Sequence, residues 1–334
     1  MARVVGGKRP AFTIAGRMDG EILLLGPEDV AALLDPADLE ASLAATFAAA
    51  ARGEVDAPPR SQVTLRDGGL LVMPDHRAGQ PLVVKHVGLY AGNVARGLPH
   101  HPATICAFDE ATGALRAVLD ATQLTAVRTA GAAVLSIRLA ARADARVAAV
   151  IGTGPVAAAH LDALTAIRDF GEIRVAGRSA DRTLALAARY GAGVHGVETI
   201  EAAVRGADVV CLCTGAAEPV VAGGWLGAGV HLTSVGYAPP GGELDPALAR
   251  AGRLLVESRD AFAPPPAGCA ELAGIDPASA AELGEVLIGV RPGRERDDEL
   301  TVYKSMGTVI EDVAATAVVL ERAEALGAGR RVRF

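Results

Sequence analysis

The string Gly152-Thr153-Gly154-Pro155-Val156-Ala157 closes an apolar run, Val147 to Ile151, and opens an alanine-rich stretch with helical spacing. Gly152 permits a tight turn, Gly154 lets a backbone approach a pyrophosphate, and Ala157 keeps a helix close to a sheet. The helix start adds free N–H groups and a positive dipole end for phosphate oxygens. A G-x-G-x-x-A string alone is weak evidence. The strand before it, the helix after it and two further strand–helix units make a dinucleotide site the expected reading. The second strand of the unit ends Ala176-Gly177-Arg178-Ser179, with Arg182 close behind and no acidic residue to accept from a free ribose hydroxyl. Arginine and serine suit a phosphate there, so NADPH is expected over NADH; stacking of Arg178 on the adenine is the alternative, compatible with either. Thr214 closes the fourth strand of this region and is expected beside the cofactor's ribose.

A second set of residues suits an anionic small molecule. Arg60 follows Pro58-Pro59, Lys85 ends the apolar run Leu82-Val83-Val84, and Arg128 shares a helix face with Leu124, Gly131, Ala132 and Leu135. Cations among small apolar residues must pair with an anion or keep a path to water. Three that converged would clamp a carboxylate, with arginine supplying a bidentate fork. Taken singly, each reads as a surface charge or part of a structural ion pair before it reads as a ligand group, and their spacing does not establish convergence.

The elements that must position these residues follow from periodicity. Between Pro27 and Arg52 apolar residues recur at three- and four-residue steps, predicting two helices broken at Asp35-Pro36. Short apolar runs at Gln62–Leu65, Gly69–Pro74, Pro81–Val87 and Ala103–Asp109, separated by Gly, Pro, Asp and Asn, predict an antiparallel sheet in an α+β first region. A helix over Thr122–Ala143 follows, capped by Asp120 or Thr122. Strands and helices then alternate from Arg146 to Glu257, which predicts an α/β, Rossmann-type doubly wound parallel sheet. The stretch Thr301–Ala325 begins strand-like, ends as an amphipathic helix and is expected to return to the first region.

Composition narrows the function classes. Of 334 residues, 51% are apolar and 21% charged, with 3% aromatic, and the formal charge is -7. That predicts closely packed, alanine-rich helices. No basic tract interleaved with aromatics supports nucleic-acid binding. No stretch of about 18 apolar residues predicts a membrane span, and Arg3, Lys8 and Arg9 precede no apolar segment of a signal peptide. Cys106, Cys211, Cys213 and Cys269 form no C-x-x-C pair and read as free thiols, consistent with a cytoplasmic protein. His100-His101 lacks a third ligand at metal-like spacing and reads as a loop, with no metal expected. His86 faces away from Lys85 in a regular strand, Pro264-Pro265-Pro266 reads as a rigid loop, and Lys304 and Asp312 fit either a cleft or a helix-entry charge and a cap.

In order along nearly the whole chain, Pro59-Arg60, Met73-Pro74, Val84-Lys85, Gly92-Asn93, Thr112-Gly113, Leu124 to Ala130, Gly152-Thr153-Gly154, Val235-Gly236, Glu243-Leu244-Asp245, Thr301 to Gly307 and Glu311-Asp312-Val313 resemble the signatures of the ornithine cyclodeaminase/μ-crystallin family. The resemblance implies that Arg60, Lys85 and Arg128 bind a substrate carboxylate, and that Ser305 and Met306 lie near the nicotinamide. It also implies a homodimer built by the sheet region. Residues 1–121, completed by 301–334, are then the substrate-binding and dimerisation domain, and residues 122–300 the dinucleotide-binding domain, with 122–143 as the connecting helix. One departure matters. Deaminating members resemble Val-Gly-x-Asp, whereas this chain reads Val235-Gly236-Tyr237-Ala238. The missing carboxylate points away from cyclodeamination and towards ketimine reduction, because a preformed imine needs only protonation, a held carboxylate and hydride. The expected function is an NAD(P)H-dependent reductase of cyclic imino acids, Δ1-pyrroline-2-carboxylate or Δ1-piperideine-2-carboxylate, giving L-proline or L-pipecolate. Lys85 is the candidate to polarise the imine or relay a proton, and Tyr237 is expected to pack. The alternatives are an alanine-type amino-acid dehydrogenase, an ornithine cyclodeaminase and a non-catalytic cofactor-binding protein.

Overall fold

The computed structural model describes residues 20–99, 101–265 and 267–333. The basic N-terminal residues, His100 and Pro266 lie outside them.

The first region opens with β1 (Glu21–Leu25), α1 (Pro27–Leu33) and α2 (Pro36–Ala51). Proline begins both helices, where its missing N–H costs nothing, and Asp35 accepts from the Ala37 and Asp38 amides to cap the second. Leu39, Leu43 and Phe47 give α2 a buried stripe. The strands β2 (Val55–Asp56), β3 (Ser61–Leu65), β4 (Gly68–Arg77), β5 (Leu82–Leu89), β6 (Ala103–Phe108) and β7 (Leu115–Asp120) follow. In β4 and β5, Leu71, Met73, Asp75, Val83, Lys85 and Val87 alternate onto the buried face, as the two-residue period of a strand requires. The expected helix after β7 is α3 (Thr122–Ala140). Asp120 caps it from one position outside, accepting from the Thr122 amide at 3.1 Å. Gly131 lets α3 lie close to α2, since a Cβ there would sit 2.7 Å from Leu43 Cδ1.

The parallel region contains β8 (Val147–Ile151), α4 (Pro155–Ile167), β9 (Glu172–Ala176), α5 (Ala180–Ala187), β10 (Val194–Gly196), α6 (Ile200–Val204), β11 (Val209–Leu212), β12 (His231–Ser234), α7 (Pro246–Ala251), β13 (Arg253–Val256), β14 (Ala281–Glu282) and α8 (Leu283–Leu287). It is completed by β15 (Thr301–Lys304), and the chain then crosses back as α9 (Val309–Leu326) and β16 (Arg330–Arg333). The sheet order is β10-β9-β8-β11-β12-β15-β13-β14, all parallel, with buried side chains on both faces. The order reverses between β8 and β11, the topological switch point at which such sheets bind ligands.

Two details differ from the sequence expectation. The return to the first region starts after residue 304, not at 301, because Thr301–Lys304 pairs with both β12 and β13 inside the parallel sheet. The first sheet, ordered β16-β1-β7-β6-β5-β4-β2 with β3 on β4, is mainly antiparallel, but β1 and β7 run parallel. Its inner face packs on α9, and one apolar core joins β4 to β7, α2, α3 and α9. Helices α3 and α9 thereby set the antiparallel wall against the carboxyl ends of the parallel strands.

Candidate active site

At the glycine-rich turn, Gly152 has φ +138°, and a Cβ there would lie 2.4 Å from the Cys213 carbonyl oxygen, so only glycine fits. Gly154 is the N-cap of α4 with no side-chain cap, and a Cβ on it would meet nothing within 4 Å. With Pro155 in the first turn, the Val156 and Ala157 amides have no helical carbonyl to bond. Open space, uncapped amides and a helix start at the switch point fit a dinucleotide pyrophosphate. Ala157 is buried under the sheet, and Thr153 packs on Gly177, where a Cβ would come within 2.9 Å of Thr153 Cγ2. At the end of β9, Arg178 and Arg182 are exposed, and Ser179 caps α5 by accepting from the Arg182 amide. Thr214 sits at the end of β11, but its hydroxyl is committed to Glu243 Oε2 at 2.7 Å.

The three cations come together around residues 306–312. Arg60 donates to the Met306 carbonyl at 3.4 Å and the Gly307 carbonyl at 2.9 Å. Lys85 lies mid-strand in β5 instead of ending it, and its Nζ donates to Asp312 Oδ1 at 2.9 Å. Arg128 Nε donates to that same oxygen at 3.0 Å, while its Nη1 pairs with Glu311 and bonds Thr129 Oγ1 at 2.9 Å. Asp312 is therefore neither a cap nor a cleft-facing spare; it joins two cations. Gly307 has φ +74°, and a Cβ there would lie 2.9 Å from both Nη1 and Nη2 of Arg128. Any larger residue would displace the guanidinium.

Electrostatics in this wall are those of a dry site. Burial, helped by the Arg128 charge, lowers the Lys85 ammonium to about 8. Burial raises the Glu311 carboxyl to about 8, against the pull of Arg128. Burial would also lower the Arg128 guanidinium, but Asp312 and Glu311 more than reverse this and hold it above its ordinary value. Asp312 Oδ2 and Glu311 Oε1 have no hydrogen-bond partner.

Sequence reasoning missed the carboxylates that shape the site. Glu257, at the end of β13, accepts from the Met306 amide at 2.8 Å, the Gly307 amide at 3.1 Å and the Ser305 hydroxyl. It thus fixes the carbonyls that hold Arg60, and a small cavity opens between Arg60, Met73, Glu257 and Thr308. Ser305 and Met306 are buried in this turn at the end of β15. Glu243 accepts from the Thr214, Val235 and Gly236 amides and from the Ser234 hydroxyl, tying off the ends of β11 and β12. Lys304 pairs with Glu271 at 2.9 Å and donates to the Gly236 carbonyl, so its charge is structural. Tyr237 packs on the core of the parallel region; burial raises its hydroxyl, and the nearby Arg60 opposes the rise. Ala238 forms an isolated bridge with Gly241 and offers no acid. The only signals in the sequence were Glu243 and Glu311-Asp312 within family-like strings; Glu257 and Glu271 stand in none. Among the described residues, no cluster of His, Cys, Asp and Glu could hold a metal ion.

The profile of the Ornithine cyclodeaminase/mu-crystallin family matches residues 22–327. The ketimine reductase mu-crystallin of Mus musculus is 35% identical over 287 residues, covering 85% of this chain and 90% of that protein. A Δ1-pyrroline-2-carboxylate reductase of Thermococcus litoralis, solved with NADH and L-proline, superposes with TM-score 0.86 at 31% identity, covering 93% of this chain and 100% of that one. An archaeal alanine dehydrogenase dimer with bound NAD gives TM-score 0.85 at 28% identity, covering 94% and 99%.

Proposed function

The chain belongs to the ornithine cyclodeaminase/mu-crystallin family, and from that premise we propose that it is an NADPH-dependent reductase of cyclic imino acids, forming L-proline or L-pipecolate from the five- or six-membered imine. One observation carries this reading. Arg60, Lys85 and Arg128 surround the Met306–Asp312 segment at the carboxyl ends of the parallel strands, while Ala238 stands where deamination would need a carboxylate. The mouse ketimine reductase and the archaeal reductase solved with NADH and proline support it.

A dinucleotide held by its pyrophosphate at the Gly152–Ala157 turn would supply the hydride from its nicotinamide. The chain's own groups do the rest. Arg60 and Arg128 orient the substrate carboxylate, and their fixed positions save the entropy of alignment. Lys85, a cation in a desolvated wall, protonates or polarises the imine nitrogen. Arg178, Ser179 and Arg182 favour a phosphate on the adenosine ribose and hence NADPH. Oxidative deamination of an open-chain amino acid, as by the related alanine dehydrogenase, ends in imine hydrolysis and needs a water-activating group that Ala238 does not provide. The same dehydrogenase is described as a dimer. A homodimer through the antiparallel sheet is favoured here too, where Val63 and Leu65 are 56% and 52% exposed. The setting is cytoplasmic in this reading, consistent with four free cysteines and with no helix among the described residues long and apolar enough to cross a membrane.

The test follows loss of NADPH and NADH absorbance with the five- and six-membered imino acids, alongside ammonia release from ornithine with NAD⁺. Imine reduction, faster with NADPH and without ammonia release, is expected. Ammonia release without imine reduction would overturn the assignment.

A further inference from the structure

Arg60 differs from the other two clamp cations in its company. Lys85 and Arg128 each bond a carboxylate. Arg60 donates instead to two neutral carbonyls, those of Met306 and Gly307, and pairs with no carboxylate among the described residues. Of the three, it is the cation whose charge is not already matched by an ion pair. The peptide between Met306 and Gly307 shows how it is held. That peptide is trans, so its N–H and C=O point in opposite directions. The Gly307 amide donates to Glu257 Oε2 at 3.1 Å, and the Met306 carbonyl, on the far side, accepts from Arg60. The Met306 amide adds a bond to Glu257 Oε1 at 2.8 Å. The Ser305 hydroxyl donates to Oε2 and accepts from the Gly307 amide at 3.1 Å. Gly307, at φ +74°, has the torsion that lets its own carbonyl turn to Arg60 as well, at 2.9 Å.

We propose that Glu257 is a positioning residue for Arg60: by pinning the Met306 and Gly307 amides it aims the carbonyls of that turn at the guanidinium and so fixes one arm of the carboxylate clamp. The inference rests on the imine-reductase reading. Glu257 follows β13 of the parallel sheet, whereas Arg60 precedes β3 of the antiparallel one. The turn therefore ties the two sheets together at the clamp.

Glu257 is 3% exposed, and the three donors it accepts from offset the burial of its charge. That charge polarises the Met306–Gly307 peptide and makes the Met306 carbonyl a better acceptor for Arg60. The guanidinium thus has a counter-charge one peptide away, and the rest of its fork stays available to a substrate carboxylate. Arg60 also lines the small cavity beside Met73 and Thr308, so packing alone does not hold it.

Glu257→Gln keeps the shape but puts a donor where one acceptor oxygen was. With the nucleotide-loaded enzyme, kcat/KM for the imino acid should fall about 10-fold. The fall should sit in KM, with kcat within about threefold of wild type. In an Arg60→Met background the same substitution should change kcat/KM by less than about twofold, because the group it positions is gone. A carboxylate that only braces the fold would lower both backgrounds equally, and equal falls overturn the inference. Glu257→Asp, still charged but one methylene shorter, serves if Glu257→Gln does not fold; it should lower kcat/KM about threefold, again only while Arg60 is present. Calorimetry with pyrrole-2-carboxylate, a planar ring with the same carboxylate and no imine to reduce, reads the clamp without turnover. Its affinity should weaken in the same non-additive pattern across the single and double variants. If the wild type reduces no imino acid but this binding pattern holds, the functional reading falls alone. Imine reduction with additive losses sinks the role of Glu257 alone. A wild type that neither reduces the imine nor binds the analogue sinks both.

Discussion

In the antiparallel wall of the cleft, Lys85, Arg128, Glu311 and Asp312 are at most 3% exposed and bond to one another. At the proposed nucleotide end of the parallel sheet, Arg178 and Arg182 face solvent, and the proposed phosphate cradle is backbone: an uncapped helix start at Gly154, where an added Cβ would meet nothing within 4 Å. The first wall commits its charges before any ligand arrives, so an incoming carboxylate meets groups already stripped of water. The second wall relies on chain geometry and leaves its charges screened. Removing a member of a buried network strands the others, at about 3–5 kcal/mol; removing an exposed charge costs about 0–1 kcal/mol in stability.

Arg128→Met breaks this contrast at its strongest point. The Michaelis constant for the imino acid should rise on the order of 100-fold, while NADPH affinity, read by fluorescence titration, stays put. Thermal unfolding should come earlier, because Asp312 keeps only Lys85 and Glu311 keeps no cation. An unchanged Michaelis constant would remove Arg128 from the clamp.

A smaller effect follows from pH. Lys85 is an ammonium below its lowered value of about 8 and a neutral amine above it. Imine reduction measured as kcat/KM should therefore hold up to that pH and then fall, by about tenfold per unit. Lys85→Arg, whose guanidinium does not titrate there, should abolish this alkaline limb even if the rate is lower throughout. The same limb in wild type and variant would assign it to another group.

The smallest change is expected at the surface. Arg178→Ala loses one charge-assisted contact to a phosphate, so NADPH should bind about 10-fold more weakly, less at high salt. NADH affinity should move by no more than about twofold. Equal weakening of both nucleotides would mean that Arg178 stacks on the adenine and reads no phosphate.

The parts of the fold that are legible in the sequence share a physical property: their signals are local. The strand Glu172–Ala176 and the break between α1 and α2 at Asp35-Pro36 come from periodicity and capping within a few residues. The strands β1 and β16 carry no such signal, because each is short and bonded to a partner far along the chain, Leu23 opposite both Ala117 and Arg331. Around Glu271 the chain makes only short 3-10 turns, Arg259–Phe262 and Ala270–Leu272, with no period to read, so nothing local marks that residue. Asp312 could be read as a cap because a helix does begin at Val309; the cap is Thr308, which accepts from the Ile310 amide.

The sequence by itself determined the glycine-rich turn, the alternation that builds a parallel sheet, the three candidate cations Arg60, Lys85 and Arg128 and the absence of a carboxylate at residue 238. Tertiary structure alone decided their company: that Lys85 and Arg128 share Asp312, and that Glu257 holds the turn on which Arg60 rests. A glycine's torsional freedom or a strand's period is a property of neighbouring residues. The state of a buried charge depends on which distant element removes its water, and only the packed chain brings that element into place.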